Sequence, residues 1–250
     1  VQGWCPGALR PMQSGDGLVV RVRPPGGRLT QAQAAGIAAL ARAHGNGLID
    51  LSARANVQLR GVGDDSHAAL VAGLRALALI DASVAAETRR NIVVTPFADA
   101  ATDALAAALA RALAAADDLT LPAKFGFAVD TGPLPVLRDV SADVRIERAG
   151  RALILRADGI AGGRPTADPV ADALDLARWF LANGGAPGAG GAWPRWSRGC
   201  GRRALTRPWL CGPRPCPRRG WSRRARWWGL PSARCRPRRW RRWPRLATCG

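Results

Sequence analysis

The apolar run Leu18-Val19-Val20 passes into alternating Arg21, Val22 and Arg23 and then into Pro24-Pro25-Gly26-Gly27, so residues 17–23 read as a strand closed by a turn. Thr30 opens a segment with Ile37, Leu40 and Ala41 at helical spacing, and Gln33 three residues on predicts a capping box. His44-Gly45 closes that helix, with Gly45 expected in the left-handed conformation common after helix ends. Residues 48–51 and 56–61 predict two strands, and Leu70, Leu74, Leu77 and Ile80 recur as the stripe of the next helix. The order strand, helix, strand, strand, helix is that of a ferredoxin-like α+β unit.

A second set follows. Residues 91–95 predict a strand, 98–115 an alanine-rich helix with Leu105, Leu109 and Leu113 in one row, and 125–129 another strand. Residues 144–146 and 152–155 flank Gly150 as a hairpin would, and 168–182 predict a helix with Val170, Leu174 and Ala177 on one side. The expected fold class is α+β: a ferredoxin-like half domain over 1–84, a second α+β domain over 85–185, and an Arg/Trp/Pro/Gly-rich tail over 186–250, expected to be disordered or frameshifted.

Charge alters the reading only in that tail. The formal net charge is +19, yet residues 1–192 hold 19 Lys+Arg against 18 Asp+Glu, while 193–250 hold 18 Arg and no acid. Five of the six cysteines (Cys200, Cys211, Cys216, Cys235 and Cys249) and eight of the ten Trp also fall after residue 192. Arg, Pro, Gly, Ala, Trp and Cys are what a GC-rich gene yields in a wrong frame, so a frameshifted tail is expected. The alternative from another class is a nucleic-acid-binding module in which the Trp stack on bases. The near-neutral body argues against nucleic acid as partner. The tail cysteines lack zinc or cluster spacing, and no metal ligand set is assigned. Without an apolar run of about 18 residues or a signal-like start, no membrane contact and a cytoplasmic location are expected.

The chemistry gathers in SARANVQLRG, residues 52–61. Arg54, Asn56, Gln58 and Arg60 are two apart, so in one strand they share a face, with Val57 and Leu59 on the other. Arg suits carboxylates and oxyanions because its planar donors grip two oxygens and its charge is permanent. Arg21 and Arg23 in VRVRPPGG, Arg89 and Arg90 before NIVVTPF, and Lys124, the only lysine, in LPAKFGF add positive positions. His44 and His67 read as a helix-end and an exposed side chain. Asp16, Asp64 and Asp65 read as turn or cap residues, and GDG at 15–17 and PPGG at 24–27 as turns rather than phosphate loops.

In order, CPGALRPMQSGDGLVVRVRPPGGRLT, HGNGLIDLSARANVQLRG, RRNIVVTPF and LPAKFGFAVDTG resemble the nitrite/sulfite reductase superfamily, and within it the precorrin-3B synthase family. The resemblance covers roughly residues 3–185. It implies that Arg23, Arg54, Arg90 and Lys124 face a tetrapyrrole or its bound anion, with Arg21, Asn56, Gln58 and Arg60 as neighbours. Gly126 and Arg60 stand where siroheme reductases carry a second lysine and a histidine, which favours the precorrin branch over a siroheme nitrite/sulfite reductase. The implied reaction is oxygen-dependent hydroxylation of precorrin-3A with lactone formation in aerobic cobalamin biosynthesis. The partners implied are a polycarboxylate tetrapyrrole substrate and an unspecified electron donor. The implied cofactors are a [4Fe-4S] cluster and an iron centre, whose thiolates fall in that family's C-terminal half, as C-x5-C and then C-x3-C. Cys5 alone cannot supply them, so an inactive N-terminal fragment is expected.

Overall fold

The computed structural model describes residues 6–160, 162–183 and 185; Cys5 and the expectations for the basic tail lie outside them. The described residues all fall in one compact unit. They build two sheets, each with its own apolar core.

The first sheet has the order β1-β2-β4-β3, from β1 (Met12–Ser14), β2 (Gly17–Val22), β3 (Ile49–Leu51) and β4 (Val57–Val62), and is antiparallel throughout. Helices α1 (Gln31–His44) and α2 (His67–Ala76) cover one face. Val20, Val22, Val57 and Leu59 from the strands meet Ile37, Ala41, Leu70 and Leu74 from the helices in one buried cluster. The expected capping box is present: the Thr30 hydroxyl accepts from Gln33 N at 3.2 Å and the Gln33 side chain accepts from Thr30 N at 3.0 Å. The strand, helix, strand, strand, helix order is therefore met by β2, α1, β3, β4 and α2, with β1 added as a hairpin partner at the edge.

Three local expectations need correction. Gly45 is extended, with φ −135°, and the left-handed glycine is Gly47, with φ 83°. Glycine is needed at 45 because a Cβ there would collide with the Arg60 carbonyl oxygen. Helix α2 stops at Ala76, and Ala78 at φ 56° turns the chain away, so Ile80 packs on the core from beyond the helix. His67 is half-buried rather than exposed, and its Nε2 lies 2.9 Å from the Ala8 carbonyl oxygen.

The second sheet has the order β5-β6-β7-β8-β9, from β5 (Ile92–Val94), β6 (Phe127–Asp130), β7 (Val144–Ala149), β8 (Ala152–Ala157) and β9 (Arg164–Thr166). The pairs β5–β6 and β6–β7 are parallel and the remaining two antiparallel. Two helices, α4 (Ala100–Ala115) and α5 (Pro169–Ala182), contribute Leu109, Leu113, Leu176 and Phe180 to the core against Phe127, Val129, Val144 and Ile146. Besides β1, two elements have no expectation in the sequence: the edge strand β9 and the short helix α3 (Val84–Arg89), which joins the two sheets. Residues 131–143 loop back over the other face, where Leu137 and Ala142 pack on Val93 and Ala128. Buried Arg145 holds that loop by donating to the Leu137 and Val140 carbonyls at 2.9 and 2.6 Å.

Candidate functional site

The face of the first sheet opposite its helices carries the polar side chains. Arg21 and Gln58 are cross-strand partners, and Arg21 Nε and Nη2 donate to Gln58 Oε1 at 3.0 and 2.5 Å. The amide thus fixes the guanidinium upright on the sheet. Arg60 lies on the same face, but its charge is answered locally: Asp16 accepts from it at 3.2 and 3.3 Å, and Asp50 stands 3.8 Å away. Burial works against the Asp16 carboxylate, but the Ser14 hydroxyl, its own backbone and Arg60 outweigh that and hold it below the ordinary carboxylate range. Asp16 is thus more than the turn residue expected from its place beside glycine.

Arg54 does not sit on the strand, as its spacing from Gln58 predicted. It lies in the turn joining β3 to β4, where Ser52 N donates to the Asn56 carbonyl and Ala55 adopts φ 54°. From there Arg54 Nη1 reaches the Lys124 carbonyl at 3.2 Å and Nη2 the Ser141 hydroxyl at 3.0 Å. Arg54 and Lys124 are therefore brought together from positions 70 residues apart. Lys124 is exposed, whereas Asn56 is buried one residue before β4.

Arg23 and Arg90 form a separate group. Both line a cavity of about 210 Å³ below the 3-10 turn Pro25–Gly27, together with Arg28. Arg90 grips Asp81 in a fork, Nε–Oδ1 at 2.7 Å and Nη2–Oδ2 at 2.8 Å, and also donates to the Arg23 carbonyl. Arg23 is 7% exposed. Its Nη1 is 3.3 Å from Glu87 Oε1, close enough for an ion pair but not aligned for a hydrogen bond, and its Nε has no hydrogen-bond partner among the described residues. Burial lowers the Arg23 guanidinium from its ordinary value, and the Glu87 carboxylate opposes that shift. Glu87 also accepts from Ala8 N and Leu9 N, tying the incoming chain to Arg23. Glu87, Asp81, Arg28 and Ser141 were not foreseen. Glu87 and Asp81 lie eight residues or fewer before Arg89-Arg90, and acids so close to a basic pair were the one available signal.

Residues 10–77 match the nitrite/sulfite reductase ferredoxin-like half domain. A precorrin-3B synthase from Sinorhizobium sp is 38% identical over 169 residues, covering 63% of this chain and 36% of that protein. The chain therefore spans little more than a third of that relative's length. The structure of the Mycobacterium tuberculosis NirA protein superimposes with a TM-score of 0.53 at 17% identity, over 78% of this chain and 40% of that one. That likeness concerns the fold. It agrees with the α+β class and with the half domain carried by β1 to α2.

The cofactors implied by the resemblance do not fit the described residues. No cysteine is among them, and they contain no group of three His, Cys, Asp or Glu side chains able to hold a metal. A cubane cluster needs four thiolates, which the described residues do not supply. No helix among the described residues is long and apolar enough to cross a membrane.

Proposed function

We propose that this chain forms the substrate-facing part of an oxidoreductase of precorrin-3B synthase type, acting in the oxygen-dependent hydroxylation of precorrin-3A. The observation that carries this is the helix-free sheet face, where Arg21 is held by Gln58 and Arg54 is held at the face's end beside Lys124. A tetrapyrrole rimmed by acetates and propionates needs fixed cations around a flat surface, and charge-assisted hydrogen bonds to carboxylates supply both energy and orientation. Fixing the arginines before binding lowers the entropy lost when substrate arrives. The chain's part in the reaction is to bind and orient the macrocycle.

The reading is tested by anaerobic titration of the chain with precorrin-3A and, in parallel, with siroheme. Tighter binding of precorrin-3A supports it. Preference for siroheme would move the chain to the nitrite/sulfite reductase branch.

A further inference from the structure

The loop that crosses from β6 to β7 is held by buried charges that take no part in the polar sheet face. Asp143, 4% exposed, accepts from Gly126 N at 2.9 Å through its carboxylate, and its own N–H donates to the Gly126 carbonyl at 2.7 Å. Arg145, 3% exposed, donates to the Leu137 and Val140 carbonyls and, at 2.9 Å, to Asp158 Oδ1. Satisfied buried polar networks make rigid what they touch.

This network fixes two acceptors relative to one another. Lys124 lies two residues before Gly126, and Ser141 two before Asp143. The reciprocal Gly126–Asp143 pair therefore brings the Lys124 carbonyl and the Ser141 hydroxyl within reach of one guanidinium. That guanidinium is Arg54, which arrives from the turn between β3 and β4. A guanidinium has five N–H donors in a planar fork. Two of them go to these acceptors, at 3.2 and 3.0 Å, and the others stay available to a ligand. An arginine on a turn otherwise has many rotamers, and ordering such a side chain on binding costs affinity. A backbone carbonyl is present whatever residue stands at 124, but the second acceptor depends on the side chain at 141.

We propose that Ser141 is a positioning residue: through its hydroxyl, the loop of the second sheet holds Arg54 in the one orientation that meets a substrate carboxylate. This role rests on the functional reading above. Ser141 is exposed, so its replacement leaves both cores packed.

The full chain and its Ser141→Ala, Ser141→Thr, Arg54→Ala and Ser141→Ala, Arg54→Ala variants are titrated anaerobically with precorrin-3A. In parallel, proteins that keep Arg54 are treated with phenylglyoxal, which adds to guanidinium groups, and modification of Arg54 is followed by peptide mass mapping without substrate. Ser141→Ala is expected to lose about threefold to tenfold in affinity, the effect of ordering one free side chain. Ser141→Thr keeps the hydroxyl and should bind as wild type does. The double variant should bind no more weakly than Arg54→Ala, and Arg54 should be modified faster in Ser141→Ala than in wild type or Ser141→Thr. Wild-type affinity in Ser141→Ala beside a loss in Arg54→Ala overturns the role of Ser141 and leaves the functional reading standing. A further loss in the double variant also overturns it, since Ser141 would then act other than through Arg54. Equal binding by wild type and Arg54→Ala counts against the functional reading instead. Equal modification of Arg54 in wild type and Ser141→Ala overturns the hold itself, whatever binds.

Discussion

Arg54 Nη1 donates to the Lys124 carbonyl oxygen at 3.2 Å, joining the turn between β3 and β4 to the loop before β6. With the second bond, to Ser141, one side chain fastens the half domain to the second sheet. Arg54→Ala is expected to lower stability by about 1–2 kcal/mol, two partly exposed hydrogen bonds at the usual net value. Arg54→Lys should not restore it, because an ammonium lacks the fork that reaches both acceptors. Urea denaturation of the three proteins checks this.

Glu87 is the side chain whose loss should cost most near the site. It is 4% exposed, pairs with buried Arg23 and accepts two backbone N–H groups. Glu87→Ala leaves a buried guanidinium without its counter-charge, which costs about 3–5 kcal/mol. The expected outcome in thermal denaturation is a large fall in midpoint. A fall no larger than that of Arg54→Ala would mean that water reaches Arg23 freely.

Gly45 and Gly47 should respond differently to alanine. At 45 the added Cβ meets backbone, the Arg60 carbonyl, which cannot swing aside; at 47 the nearest atom is Arg42 Cγ at 3.7 Å and only the left-handed φ of 83° resists. Gly47→Ala is expected to cost about 1 kcal/mol, the left-handed penalty. Gly45→Ala should cost more, about 1–3 kcal/mol as for overpacked sites. Equal midpoints in denaturant would contradict the close approach.

Much of the architecture was legible because its signals are local. Thr30 and Gln33 announce α1, the row Leu105, Leu109 and Leu113 marks α4, and alternation marks β4. Period two carried back through Ala55 places Arg54 on the strand, whereas Ala55 at φ 54° makes a turn that an alanine does not announce in the sequence. Gly61, at φ 63°, similarly breaks the alternation and sends Val62 into the core. The sequence predicts one anion-binding surface shared by Arg21, Arg23, Arg54, Arg60, Arg90 and Lys124. Long-range pairing divides it, since Asp16 and Asp50 answer Arg60, and Asp81 and Glu87 draw Arg90 and Arg23 to the cavity. Spacing along the chain carries no information about such partners.

Asp99 caps α4, accepting from Thr102 N and Thr102 Oγ1, both at 2.7 Å. These bonds, the hydroxyl first, hold its carboxyl below the ordinary value of 3.8 against a smaller effect of burial. A carboxylate depressed in the folded state stabilises above its unfolded value and loses that contribution as pH falls through the folded one. The difference in melting temperature between wild type and Asp99→Ala is therefore expected to be full above about pH 4 and to shrink in more acidic buffer. A difference that stays constant down to pH 2 would mean the hydrogen bonds do not depend on ionisation.

Binding of a polycarboxylate tetrapyrrole to the sheet face opposite the helices is measured by anaerobic titration of wild type and the Arg21→Ala, Arg54→Ala double variant with precorrin-3A at low and high salt. Wild type is expected to bind, more weakly as salt screens exposed charges, and the variant to lose about tenfold or more, from two charge-assisted contacts. No binding by wild type, or equal affinity in the two proteins, would contradict binding at this face.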